Sequence, residues 1–261
     1  MQLGFDQLDE LAYSATFKSV STALPEKITP RNIGPLIELV WLRNTGLPLP
    51  SLDSLADTQR LRLVKAMMSG QNAAQFEGDG ARAGMIRCYW QSDDEPDDWY
   101  FFCRGMQDAA VMTGFPRKNA EELVAGVREL VANIYDHSRA PQTGIAGFAA
   151  IDNEVEIVIA DRGIGVLESL HSSPEFQSLR DAGEALEAAL TDGISRFGKS
   201  SGHGGGFRDL FRGLVNLSSA LRFRSGDHAL GINGVSPGLP MARVSQKTQL
   251  PGFIISITCI R

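Results

Sequence analysis

Two apolar segments joined by a two-residue turn constrain the fold of this chain more than any other feature. Residues 146–151 (AGFAAI) and 154–160 (EVEIVIA) flank Asp152 and Asn153, a pair with the composition of a tight hairpin turn. The second segment leads directly into DRGIG, which contains Asp161, Gly163 and Gly165. A carboxylate directly after a buried strand lies at the rim of a sheet, and the glycines let the backbone turn sharply and a flat ligand approach. Alone, this pattern also fits an ordinary turn after a strand.

A helix with a polar notch is predicted just before the hairpin. Asn119 has the character of an N-cap, Glu122 follows three residues later, and helical spacing continues to about His137. Glu129 and Asn133 are four residues apart, so they lie one above the other on one face of this helix. The other faces carry apolar residues that are typical of a core. An isolated pair of this kind also fits a solvated helix face.

A glycine-rich segment occupies residues 198–206, immediately before residues 207–217 (FRDLFRGLVNL), which have helical periodicity. Glycines that lead into a helix N-terminus present free N–H groups at the positive end of the helix dipole, and this arrangement suits a phosphate group. A flexible linker is the alternative, although linkers seldom lead straight into an amphipathic helix. The residues of interest in this segment are Lys199, Gly202, His203, Gly204, Gly205 and Gly206.

The order of these three motifs resembles the N-box, G1 box and G2 box of the GHKL ATPase superfamily, which includes gyrase, histidine kinases and mismatch-repair ATPases. The resemblance covers residues 117–261, a little over half of the chain. It implies a Bergerat fold that binds ATP and Mg²⁺. A chance occurrence of any one motif is common, whereas the ordered set is specific.

The resemblance also implies a role for each motif residue. Glu129 is the candidate general base, Asn133 the Mg²⁺ ligand, and Asp161 the acceptor for the adenine amino group. Residues 168–199 are expected to form a mobile lid. Gly163 and Gly165 are expected to shape the purine pocket. The phosphates are expected to be wrapped by Gly202, Gly204, Gly205 and Gly206. Lys199 and His203 are expected beside the phosphates.

The last strand, predicted at residues 252–260, departs from the family pattern. Gly252 is followed by Phe253, whereas a threonine is usual in the family at that position. The threonine contact to the adenine is either missing or supplied by Ser256 or Thr258. The departure removes no phosphate-binding or metal-binding group.

The first part of the chain is predicted to be a smaller mixed α/β region. Helices are expected at residues 33–44 and 57–69, and strands at residues 85–91 and 99–104. A cluster of helix-breaking residues at 113–116 suggests a domain boundary, which gives domains at 1–115 and 116–261. The fold class is therefore α+β, with a two-layer Bergerat sandwich in the second domain. Its mixed sheet is expected to carry helices on one face.

Composition narrows the function classes. The net charge of −6 argues against a nucleic-acid partner. The three cysteines form no C-x-x-C pair, so neither zinc nor a disulfide framework is expected. The first residues have no signal-peptide pattern, and no segment has the length and hydropathy of a membrane span. A cytoplasmic location and no membrane partner follow as expectations.

Three functions remain open. The first is an enzyme that hydrolyses ATP or transfers its γ-phosphate in a regulatory role. The second is a nucleotide-switched module that binds a partner protein without useful turnover. The third is a histidine or serine kinase for a separate protein, because no histidine precedes His137 to act as an internal phosphoacceptor. A gyrase-like or chaperone-like enzyme needs a further domain after Gly206, and the remaining chain is expected to be too short for it. A regulatory protein partner is expected, and a homodimer stays open.

Overall fold

The computed structural model describes residues 1–17, 27–78, 81–89, 96–191, 218–235 and 241–260. Its helices are α1 (Phe5–Phe17), α2 (Ile33–Asn44), α3 (Gln59–Met68), α4 (Asp97–Met112), α5 (Arg117–His137), α6 (Gly165–His171) and α7 (Ala182–Leu190). Its strands are β1 (Gln2–Leu3), β2 (Thr29–Pro30), β3 (Ala73–Gly78), β4 (Ala81–Arg87), β5 (Ile145–Ile151), β6 (Glu154–Asp161), β7 (Ser218–Val235) and β8 (Arg243–Ile260). The predicted α+β class is confirmed.

Six strands form one sheet in the order β3-β4-β5-β6-β8-β7, and every described neighbour pair is antiparallel. The mixed sheet that the sequence suggested is therefore not observed among the described strands. The predicted boundary between residues 115 and 116 separates two strands of this sheet from the other four, because β4 pairs with β5 along its length. The two predicted regions thus share one sheet.

Both faces of the sheet are covered. Helices α4, α5 and α7 bury their apolar residues on one face, which we call the α5 face. The two of these that follow residue 116, α5 and α7, lie on the same face, as a two-layer arrangement requires. Helices α1, α2 and α3 bury theirs on the opposite face, which we call the α2 face. The sequence did not predict this second layer of helices over the sheet.

Helix α4 corrects the strand predicted at residues 99–104. Its buried side chains recur at helical spacing, in Trp99, Phe102, Cys103, Met106 and Ala110. The aromatic run resembled a strand because a short apolar segment does not distinguish the two periods.

Other predictions agree with the structure more closely. Helix α2 spans the predicted residues, and the β5–β6 hairpin turns at Asp152, whose φ of 56° is left-handed. Helix α5 begins at Arg117 after Pro116, so Asn119 lies inside the first turn and is not the N-cap. Helix α6 was missed, and the helix predicted at residues 207–217 lies outside the described residues.

Buried charges hold the N-terminal helices on the sheet. Glu156 of β6 is fully buried on the α2 face, accepts hydrogen bonds from the N–H groups of Ile33 and Gly34, and contacts Arg60 at 3.2 Å. Burial raises the pKa of Glu156, and the N–H groups in the first turn of α2, which have no helical partners, offset part of this effect together with Arg60. The N-terminal layer is therefore bonded specifically to the strand that ends in Asp161.

A second ionic cluster joins α1 and α2 to the other end of the sheet. Glu38 of α2 is fully buried and contacts Arg222 at 3.0 Å and Arg224 at 3.0 Å. Asp9 of α1 contacts Arg222 at 2.7 Å and Lys247 at 2.8 Å. These contacts fix α1 and α2 against β7 and β8. Among the described helices, none is long and apolar enough to cross a membrane.

Candidate functional site

Asp161 is a buried acidic residue at the end of a strand. It is the last residue of β6, and strand alternation places it on the α5 face with Val155, Ile157 and Ile159. Its side chain is 1% exposed. Oδ1 accepts a hydrogen bond of 2.6 Å from the Gly163 N–H, whereas Oδ2 has no hydrogen-bond partner among the described residues.

Burial has a large effect on this carboxyl group. Desolvation raises the pKa of Asp161 to about 7, although the hydrogen bond from the Gly163 N–H lowers it. A buried polar atom without a partner is costly, and carboxyl groups with strongly shifted pKa values are concentrated at functional sites. Oδ2 is suited to accept a hydrogen bond from an amino group of a ligand.

The loop after Asp161 rests directly on the end of α5. Ser138, the residue after α5, accepts a hydrogen bond of 2.9 Å from the Ile164 N–H through its backbone carbonyl. A Cβ atom at Gly163 would overlap this carbonyl oxygen, so only glycine allows the loop to approach this closely. The glycine that the sequence assigned to a purine pocket therefore joins the end of β6 to the helix with Glu129 and Asn133.

A buried serine closes the other side of the loop. Ser225 of β7 donates a hydrogen bond of 2.8 Å to the Gly252 carbonyl and accepts one of 3.0 Å from the Val166 N–H. Gly165 and Gly252 both have left-handed φ angles, of 79° and 69°, and pack against this hydroxyl or the Asp161 carbonyl. Sequence reasoning missed Ser225, because it is 59 residues from Val166 and its own segment reads only as a strand end.

Glu129 and Asn133 both lie on α5 and are partly buried. Asn133 precedes Ser138 by five residues, which corresponds to roughly 7.5 Å along the helix axis. Since Ser138 contacts the loop after Asp161, Asn133 lies toward the same end of the sheet. Glu129 lies one turn farther away. The structure thus brings α5 and the loop after β6 together.

Phe253 occupies the position opposite Asp161. The two residues are direct cross-strand partners in β6 and β8, so their side chains share the α5 face. Ser256 and Thr258 cannot supply the missing threonine contact, because alternation along β8 places them on the α2 face. The position at which the resemblance implies a threonine is therefore occupied by an aromatic ring.

The predicted lid is only partly described. The sequence pattern DAGEALEAAL predicts a helix at residues 181–190, and residues 182–190 form α7, which buries Ala185, Leu186 and Leu190. The glycine-rich segment lies outside the described residues, and with it Lys199, Gly202, His203, Gly204, Gly205 and Gly206.

A cavity of about 370 Å³ opens beside the loop after β6. Gly163 and Gly165 line one wall, and residues 180–182, 225–227 and 249–252 line the others. Its charged side chains are mixed, with Arg180 against Asp181, Glu168 and Asp227. Asp161 and α5 do not belong to its lining, so this cavity is distinct from the position that Asp161 faces.

No protein-family model matches the sequence, and no curated protein is significantly similar to it. The function is therefore argued from the chemistry of the site.

Proposed function

We propose that this chain binds Mg-ATP on the α5 face and hydrolyses it, or transfers its γ-phosphate, in a regulatory role. The observation that carries the proposal is the buried carboxylate of Asp161, with one oxygen held by the loop and the other without a partner. An exocyclic amino group of a purine would donate to Oδ2 and relieve the cost of its burial. Adenine has such a group, and the resemblance to the GHKL superfamily assigns adenine to this position.

Asn133 fits the metal in this proposal. Mg²⁺ prefers oxygen ligands and keeps several waters, so one amide oxygen together with phosphate oxygens is a sufficient ligand set. Among the described residues, no group of three His, Cys, Asp or Glu side chains forms a metal cluster. The metal would neutralise charge on the phosphates, which is a large part of catalysis in phosphoryl transfer.

Glu129 is the proposed general base. In hydrolysis, a water oxygen bonds to the γ-phosphorus, the bond to the bridging oxygen breaks, and Glu129 takes the proton from the attacking water. In transfer, a hydroxyl or imidazole of another protein takes the place of the water. A pure binding module has no need of a carboxylate at this position.

The binding test compares two aspartates of the same hairpin. Asp161→Asn keeps an acceptor for the Gly163 N–H but turns an N–H donor toward the purine amino group, so the ligand meets a donor and not an acceptor. Calorimetric titration with Mg-ATP should show affinity roughly ten- to a hundredfold lower than that of the parent. Asp152→Asn, in the exposed turn at the other end of β6, is the matched control and should bind like the parent. Equal affinity for all three proteins would exclude Asp161 from the site.

The reaction test separates an enzyme from a switch. Glu129→Ala should keep the ATP affinity and lower the rate of phosphate release about a hundredfold to ten-thousandfold. Asn133→Ala should instead weaken binding that depends on Mg²⁺. Glu121→Ala, an exposed position on the same helix, is the control. Binding without turnover in the parent, unchanged by Glu129→Ala, would favour a nucleotide-switched module, and label transfer to another protein would favour a kinase.

A further inference from the structure

Helix α4 has an apolar outer face that the described fold leaves uncovered. Tyr100 is 51% exposed, Phe101 58%, Val111 40% and Met112 47%. The opposite side of the same helix is buried through Trp99, Phe102 and their neighbours. Large apolar side chains that cluster on a surface mark an interaction site more often than isolated ones do.

Charged residues follow a fixed order around these apolar residues. An acidic first turn comes first, then two aromatic residues, a basic residue, an acidic residue, two aliphatic residues, and finally a basic pair in the first turn of α5. In sequence these are Asp97 and Asp98, Tyr100 and Phe101, Arg104, Asp108, Val111 and Met112, and Arg117 and Lys118. Apart from Asp108, which is partly exposed, all of them are exposed.

This order is self-complementary under a two-fold rotation. When a second copy of α4 is laid antiparallel on the first, with the axis level with Met106, the central groups meet groups that suit them. Arg104 faces Asp108 of the second copy, Phe101 faces Val111, and Tyr100 faces Met112. We infer that α4 is the interface through which two copies of this chain pair antiparallel.

The spacing along α4 is that of a helix–helix seam. Asp97, Phe101, Arg104, Asp108 and Val111 recur at intervals of four and three residues, which keeps them on one stripe that can meet a partner helix. Two of the pairs described above, Arg104 with Asp108 and Phe101 with Val111, join positions of this stripe, as in antiparallel helix pairs. Binding to an unrelated protein would not require the residues along α4 to be self-complementary.

A cleft beside the stripe supports a second copy as the occupant. It has a volume of about 420 Å³, lies between α4 and α5, and is lined by Tyr100 and by three arginines against one aspartate. The arginines are Arg104, Arg117 and Arg128. Its surplus of positive charge suits an acidic segment, and each copy carries one in the first turn of α4, at Asp97 and Asp98.

The test reverses the charge of Arg104 or of Asp108, and then reverses both in one double variant. Within each copy, Arg104 and Asp108 also lie 3.8 Å apart as an exposed pair, so each reversal affects both the helix and the proposed contact. Arg104→Asp places two aspartates opposite each other twice in the dimer, and Asp108→Arg does the same with arginines. Like charges in direct opposition should weaken the dimer at least about tenfold. The double variant restores both pairs and should dimerise like the parent.

Sedimentation equilibrium in the micromolar range should give the parent twice the mass of the 28.3 kDa chain, and each single variant a dissociation constant at least about tenfold higher. Mixing the two single variants should regenerate a dimer, because every reversed charge then meets its opposite. Arg62→Asp, an exposed arginine on α3 that pairs with Asp57, is the matched control and should leave the dimer intact. Circular dichroism of each variant confirms folding.

A parent that stays monomeric throughout this range would overturn the inference, as would a dimer that both single reversals leave unchanged. The inference does not depend on nucleotide binding, so a chain that fails to bind ATP would leave it intact.

Discussion

Replacing Asp161 by asparagine removes a charge that the fold buries at a cost, so the substitution should change how stability depends on pH. The pKa of Asp161 is about 7 in the fold, against 3.8 for an ordinary aspartate, because burial disfavours the charged form. A folded pKa above the unfolded one means that the folded state holds its proton more tightly. The contribution of Asp161 to the free energy of unfolding is therefore fully present below pH 3.8 and is lost as the pH rises toward 7.

The size of the effect follows from the shift. The full cost of the charged form is about 4 kcal/mol, and about 2 to 3 kcal/mol of it develops between pH 5 and pH 8. In Asp161→Asn this loss is absent. The amide brings a different cost, a buried N–H group without a partner, of about 1 to 3 kcal/mol, but this cost does not change with pH. The difference between the two proteins across pH thus isolates the carboxylate.

Thermal unfolding of the nucleotide-free protein at pH 5 and pH 8 measures this difference. For a chain of this size, the gap in Tm between parent and Asp161→Asn should shift by roughly 5 to 10 °C in favour of the variant at the higher pH. Groups that titrate in both proteins cancel. Asp152→Asn, in the exposed turn, should show no such shift. If the difference in Tm between the parent and Asp161→Asn is the same at both pH values, burial does not raise the pKa of Asp161. Oδ2 is then not an unsatisfied acceptor.

Three further substitutions test the frame around the site. Gly163→Ala forces a Cβ against the carbonyl of Ser138, so we expect the loop to separate from α5, with faster hydrogen exchange in both and loss of nucleotide affinity. Ser225→Ala removes the hydrogen bonds of the hydroxyl group with Val166 and Gly252 and should lower the free energy of unfolding by about 1 to 3 kcal/mol in urea denaturation. Ser225→Thr keeps a hydroxyl group, so a folded threonine variant as unstable as the alanine variant would show that packing, and not hydrogen bonding, sets this contribution. Glu38→Ala leaves Arg222 and Arg224 without their buried partner and should lower the free energy of unfolding by about 3 to 5 kcal/mol. A urea midpoint equal to that of the parent would show that the N-terminal layer does not depend on this cluster.

Several parts of the fold and site are readable in local sequence alone. The β5–β6 hairpin and helix α2 follow from apolar periodicity and from the residues at their ends. The placement of Asp161 at a strand end and of Glu129 and Asn133 on one helix face follows from the same patterns. These patterns are local, because each depends only on residues within one element or one turn.

Other parts depend on which distant segments meet. The aromatic run at residues 99–104 fits the period of a strand as well as that of a helix. Packing of α4 against the sheet selects the helix. The pairing of β4 with β5 and the covering of the α2 face by α1–α3 are long-range, so no local pattern predicts them. The same is true of the hydroxyl of Ser225, which bonds to two segments far from it in sequence.

The chemistry of Asp161 shows this division most clearly. Its position at the rim of a sheet is fixed by the strand before it and the glycines after it, and both are visible in the sequence. Its raised pKa is not visible there, because desolvation is set by how closely α5, β8 and the loop around Gly163 pack on it. Sequence determines which residue ends the strand, and tertiary packing determines how much water that residue loses.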